Sequence, residues 1–361
     1  MLVLLRHVGS ERIVGAGAVG VGAFFTLSGF LITSLLLEEW HDTAKVDLRA
    51  FFRRRFLRLL PALAAAVLVV LAFAVATARL ERLTGQIAAA GLYVMNYARI
   101  AGLDHSFLTH TWTLAVEEHF YLLWPVTLLV ALRWGSRRTL LGVTAGLAAA
   151  TALWRVWLWS QGAEALRLQY ATDTRLDSML IGCAAAVLFS GQLPRVPRWA
   201  GWAGLSALAA LIFMQPRSDL MLTAGYTLLP LAAIVLILHL LNGPGVLPAV
   251  ARWRPAVAIG RISYGLYLWH YVLWGMLRPV LPEGLSEWVR RPLLLAVAIG
   301  VATASYHWVE QPFLALKRRP APTPPQHAEG DDVPVSGWAG PPEVIDLTDQ
   351  HETEVSSGSR R

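Results

Sequence analysis

Residues 51–78 read FFRRRFLRLLPALAAAVLVVLAFAVATA, and this stretch decides the fold. Arg53, Arg54, Arg55 and Arg58 lead into a run with no charge through Ala78. As a helix that run is about 30 Å long, the thickness of a bilayer's hydrocarbon core. A segment crossing lipid must satisfy its own backbone N–H and C=O groups, which makes helix the expected state. Comparable apolar blocks recur at approximately 17–37, 57–78, 117–133, 140–159, 175–190, 199–214, 220–241, 263–281 and 292–313. The chain of 361 residues is 55% hydrophobic and 15% charged, against about 25% charged in an ordinary soluble domain. The expected fold class is all-α: a polytopic membrane helix bundle of about ten transmembrane helices.

Charge divides the chain in two. From Pro320 to Arg361 eight acids face two arginines, a balance of −6, so residues 1–319 carry +13 and the whole chain +7. The segment 320–361 is rich in Pro, Gly, Ser and acid and is expected to be a disordered cytoplasmic tail. Within 1–319 the basic residues sit between apolar spans: Arg53–Arg58, Arg133/Arg137/Arg138, Arg195/Arg198, Arg252/Arg254/Arg261 and Lys317/Arg318/Arg319. If the polar-interrupted stretch 83–98 does not cross, all five clusters fall on one side, as the excess of Lys and Arg in cytoplasmic loops requires. That pattern argues against nucleic-acid binding, which needs a basic soluble face. Tryptophans near span ends, such as Trp40, Trp134 and Trp253, suit interfacial belts. Met1–His7 reads as the end of a first, truncated helix whose beginning is missing from the sequence. Cys183 lies in an apolar run and reads as a core residue.

Ionisable residues inside a membrane domain are costly and are functional candidates. His7 sits in an apolar run; its imidazole suits proton transfer, or caps a helix end. The arginine set is a topology signal and also a fork-shaped grip for phosphates. His110-Thr111-Trp112-Thr113 precedes Glu117 and Glu118 at the start of a span. Adjacent carboxylates point about 100° apart on a helix, so both cannot face lipid harmlessly. Asp173, Arg175 and Asp177 fall within one short segment, as a gate, a substrate ion pair or an interfacial salt-bridge cluster.

Six segments then carry a resemblance: GVGAFFTLSGFLIT (20–33), FFRRRFLRLLPAL (51–63), HTWTLAVEEHFYLLWP (110–125), TDTRLDSMLIG (172–182), ISYGLYLWH (262–270) and VEQPFL (309–314). In this order they resemble the membrane-bound acyltransferase-3 family of polysaccharide acetylases and macrolide acylases, over about residues 1–319. The resemblance implies a transmembrane acyltransferase domain at 1–319 that moves an acyl group, most often acetyl, from acyl-CoA to a hydroxyl of a glycan or secondary metabolite. It implies catalytic roles for His7, Glu117 and Glu118. It assigns CoA handling to Arg53, Arg54, Arg55 and Arg58, and it matches Trp112, Thr113, Phe120 and Tyr121 to a family motif. Trp112, Asp173, Arg175 and Asp177 are the candidate substrate-binding residues. Ala23 stands where the family carries an acid. Partners expected are acyl-CoA, the acceptor and the bilayer of a bacterial cell membrane, with no metal. No hydrolase-like segment follows the last span in this sequence, so a relay to such a domain in the same chain is not expected. The competing readings are an exporter of an acylated glycan or small molecule and an inactive truncated homologue.

Overall fold

A computed structural model describes residues 13–103 and 107–316. His7, with the first helix expected there, and the acidic tail lie outside the described residues. The described chain is helical, with no strand. Its helices are α1 (Ala16–Thr43), α2 (Leu48–Ala76), α3 (Leu80–Gly91), α4 (Met95–Ile100), α5 (Trp112–Trp134), α6 (Arg137–Ser160), α7 (Ala165–Tyr170) and α8 (Leu176–Leu188). They continue as α9 (Arg198–Ile212), α10 (Tyr226–Asn242, led by a π turn), α11 (Val246–Ala251), α12 (Arg254–Arg261), α13 (Ser263–Leu277), α14 (Glu287–Ser305) and α15 (Gln311–Ala315).

Six helical stretches among the described residues are long and apolar enough to cross a membrane: α1, α2, α5 with its preceding turn, α6, α10 with its π turn, and α14 through α15. The expectation of about ten spans is met by six on this measure; α8, α9 and α13 are shorter. The stretch expected to stop short of crossing folds as α3 and α4, broken at Tyr93 with φ 55°. Neither piece reaches spanning length.

Helix α1 shows why the chain needs lipid. Phe24, Leu27, Leu31 and Leu35 form an exposed stripe at helical spacing, while Phe25, Ile32 and Leu36 are buried on the other side. A helix apolar on both faces is solvated by hydrocarbon on one of them. It ends at Ala44, in the left-handed region (φ 53°), and Asp47 then caps α2 by accepting from the Ala50 N–H at 2.9 Å. Trp253 is exposed, as a belt residue should be, whereas Trp40 packs partly against the core.

The bundle is organised around α1 and α8. A Cβ at Gly29 would meet the Met179 carbonyl, and one at Gly182 the Thr26 carbonyl, so the two backbones touch where side chains would separate them. Small residues permit this approach in membrane bundles. Cys183 is fully buried beside the Gly29 carbonyl, in keeping with a core residue. Gly182→Ala is expected to force α1 and α8 apart and to cost about 1–3 kcal/mol, as overpacking does; thermal unfolding in detergent measures it, and an unchanged midpoint would contradict the contact.

Contacts along this pair set the two ends of the molecule. Arg175 lies by the start of α1, Cys183 by its middle, and α10 follows the same course, with Leu229 at Gly22. The far ends collect the basic clusters. Arg54 pairs with Glu39 near the end of α1. Arg53 donates to the Leu316 carbonyl, Arg137 to those of Val187 and Leu188, and Arg252 to that of Leu241. Arg198 approaches Gly245 just beyond α10. Four of the five clusters therefore share one end; the fifth lies outside the described residues.

Candidate functional site

Midway along the bundle, Glu117 is the buried member of the carboxylate pair, 2% exposed. Ser28 Oγ and Tyr121 OH each donate to its Oε1 at 2.7 Å, and Tyr121 OH lies 3.2 Å from Ser28 Oγ. Helical spacing explains part of this: Tyr121 sits four residues on, above Glu117 on the same face. Ser28 comes from α1, turned inward next to Gly29. Glu118, rotated to the neighbouring face, is only half-buried. The two acids thus occupy unlike settings, as their angular separation demands.

The arginine set is divided. Arg53 and Arg54 are exposed at the bundle end, on the Leu316 carbonyl and Glu39. Arg55 turns inward, its guanidinium 4.4 Å from the centre of the Tyr121 ring. Arg58, three residues on, is exposed, and its charge acts on Glu117 and on Glu310. Basic residues therefore reach from the surface to the Glu117 cluster.

At the opposite end lies a cavity of about 450 Å³. From Val21, in its wall, to Glu39 beside Arg54, α1 rises about 27 Å. The cavity brings together parts of α1, α4, α5, α10 and α13, and its lining includes Arg99, Arg175, Arg217, His110, Trp112 and His270. Trp112 stands edge-on to Tyr170 with ring centres 4.6 Å apart. The His110 ring sits 4.9 Å from that of Tyr271 and 5.7 Å from that of His270. Tyr267 OH donates to the His110 carbonyl at 2.7 Å.

The segment 173–177 is taken apart by the fold. Arg175 lines the cavity with its guanidinium 3.7 Å from the centre of the Tyr226 ring. Asp177 points away, into a fully buried pair with Arg155 at 2.9 Å. Arg155 also donates to the Leu222 and Thr174 carbonyls, and Thr227 donates to Asp177 at 2.8 Å. Asp173 takes two bonds from Arg167 at 2.6 and 2.8 Å and one from Trp154 Nε1. Burial raises the Asp173 carboxyl, but the bonds from Arg167 and Trp154 outweigh it and leave its pKa below the ordinary aspartate value. Asp173, Arg175 and Asp177 therefore do not pair with one another. Each acid has an arginine from elsewhere, because one short turn cannot point three neighbours at a common centre. Of the four candidate substrate residues, Trp112 and Arg175 line the cavity, while Asp173 and Asp177 are absent from its lining.

Several contributors give little or no signal in the sequence. Ser28 lies in an ordinary apolar run. Arg99 and Arg217 occupy connecting segments, where arginine is unremarkable. Arg155 and His270 do carry a signal, each being ionisable within an apolar helix.

Residues 3–307 match the family described as acyltransferase domain. The chain is 32% identical to "Peptidoglycan O-acetyltransferase OatA" of Listeria monocytogenes, over 82% of this chain and 51% of that protein. It is 31% identical to "Putative peptidoglycan O-acetyltransferase YrhL" of Bacillus subtilis, over 82% and 50%. It is 28% identical to "Putative O-acetyltransferase SACOL0978" of Staphylococcus aureus, over 89% and 57%. The chain thus spans about half the length of these relatives. No solved structure matches. With its signature segments in order and nearly its whole length matched, the chain belongs to the membrane-bound acyltransferase-3 family.

Proposed function

We propose that this chain moves an acetyl group from acetyl-CoA, held at the arginine end, to a hydroxyl of a sugar or other acceptor entering the cavity at the opposite end. The observation that carries the reading is the set of ionisable and polar side chains placed at both ends and in the middle of an apolar bundle. Arginines lead inward to the Glu117–Ser28–Tyr121 cluster at one end, and a histidine- and arginine-lined cavity opens toward the other. Buried ionisable groups are retained in membranes where they serve a pathway or a reaction. The arginine end is cytoplasmic, where coenzyme A is found and where Lys and Arg concentrate. We count α8, α9 and α13 as spans as well, giving nine among the described residues. The C-terminus is then cytoplasmic, in a bacterial cell membrane.

In the proposed step His7 takes the proton from the acceptor hydroxyl. The oxygen forms a bond to the thioester carbonyl carbon, the carbon–sulfur bond breaks, and the proton passes to the departing CoA thiolate. Glu117, or Glu118, orients the imidazole. The names of the bacterial relatives favour a cell-wall or surface glycan as acceptor.

The experiment is release of free CoA thiol from acetyl-CoA by the purified full-length chain in lipid nanodiscs, with and without candidate acceptors. No thiol release with any acceptor would refute the activity. Arg55→Gln and Arg58→Gln are expected to raise the KM for acetyl-CoA by roughly 10- to 100-fold, the worth of charged hydrogen bonds. An unchanged KM in both would remove the arginines from CoA binding.

A further inference from the structure

The described walls of the cavity are rich in basic side chains. Its lining holds three arginines, Arg99, Arg175 and Arg217, and neither Asp nor Glu among the described residues. Arg175 is the sharpest case. It is 1% exposed, and its Nε and Nη1 find no hydrogen-bond partner among the described residues. Its close contact is the face of Tyr226. Guanidinium stacking leaves the in-plane N–H donors available, and those donors suit a planar or tetrahedral oxyanion. The acids nearest in sequence are engaged elsewhere, Asp177 by Arg155 and Asp173 by Arg167. Asp177 acts on Arg175 only through space, its carboxylate being held by Arg155 and Thr227, so the open N–H donors of Arg175 are placed to take an anion from outside. At the rim, exposed Arg217 donates to Gln169 at 3.1 Å and adds to the positive field at the entrance.

We infer that this cavity selects acceptors bearing an anionic group, carboxylate or phosphate, close to the hydroxyl that is acylated, with Arg175 as the anion-binding side chain. The inference rests on the proposed function for the identity of the ligand as acceptor. The binding site itself is testable without it.

The test compares glucuronate, glucose 1-phosphate and neutral glucose as ligands of the full-length chain in nanodiscs, with direct binding and thiol release measured separately. Either charged sugar is expected to bind at least about 10-fold more tightly than glucose, and whichever does so names the anion. Arg175→Gln is expected to abolish that preference and Arg175→Lys to restore part of it. Because Arg175 also packs on Tyr226, exposed Arg217→Gln provides a second variant, expected to weaken only the charged sugars, by about 3-fold, and to lessen their salt dependence. The inference is overturned by equal affinity for charged and neutral sugars, or by a preference untouched in both variants. It is also overturned if CoA displaces the charged sugar. Arg175-dependent binding without thiol release would leave this site standing and sink the acyl-transfer reading. Thiol release with neutral sugars, indifferent to Arg175, would do the reverse.

Discussion

Asp177→Ala is expected to destabilise the bundle by about 3–5 kcal/mol, because it strands the Arg155 guanidinium in a site with no access to solvent. Both side chains are fully buried and lie 2.9 Å apart. Arg155 bridges three elements through the Leu222 carbonyl, the Thr174 carbonyl and Asp177, so the loss is felt across α6, α8 and the π turn before α10. Replacing both partners by apolar residues of similar size, Arg155→Met with Asp177→Leu, is expected to recover much of the loss, since the uncompensated charge then disappears. Thermal unfolding in detergent, tracked for both forms, makes the measurement. A single variant as stable as the parent would show that water or another group reaches Arg155. A double variant no better than the single would assign the cost to packing instead of charge.

His7→Ala is expected to lower kcat for thiol release by about 10²–10⁴-fold, the usual contribution of a general base, with unfolding unchanged. The role proposed for His7 rests on the family resemblance alone, and His7 lies outside the described residues. Two other histidines therefore serve as internal comparisons. His110 and His270 line the cavity, and either is chemically able to accept the same proton. If His110→Ala or His270→Ala shows the large loss while His7→Ala stays active, the base belongs to the cavity. Glu117→Gln retains an acceptor oxygen for Ser28 and Tyr121 but removes the charge. A fall in kcat without a stability change would mark Glu117 as the group that orients the imidazolium, and loss of folding would mark it as structural.

Much of the fold is legible in the order of the amino acids. Runs without charge set the positions of the long helices, and the basic clusters predict a common end, which the contacts of Arg54, Arg137 and Arg252 bear out. The break within 83–98 is also readable, because its polar residues interrupt the apolar run. The site is legible in part. The Glu117–Glu118 pair announces itself, since lipid cannot take both acids. Arg155 is equally conspicuous in principle, a charge inside an apolar helix, but no acid near it along the chain suggests its partner.

The sequence by itself determined which segments are helical and apolar, which ends are basic, and to which family the chain belongs. Those properties are local: periodicity, run length and motif order need no knowledge of neighbours. Only the tertiary structure decided that Asp177 belongs to Arg155, that Arg175 faces a cavity, and that Glu117 rather than Glu118 is enclosed by Ser28 and Tyr121. Spacing fixes the face of its own helix on which a side chain lies. Which partner meets that face depends on the register between helices, here set by the backbone contact at Gly29 and Gly182.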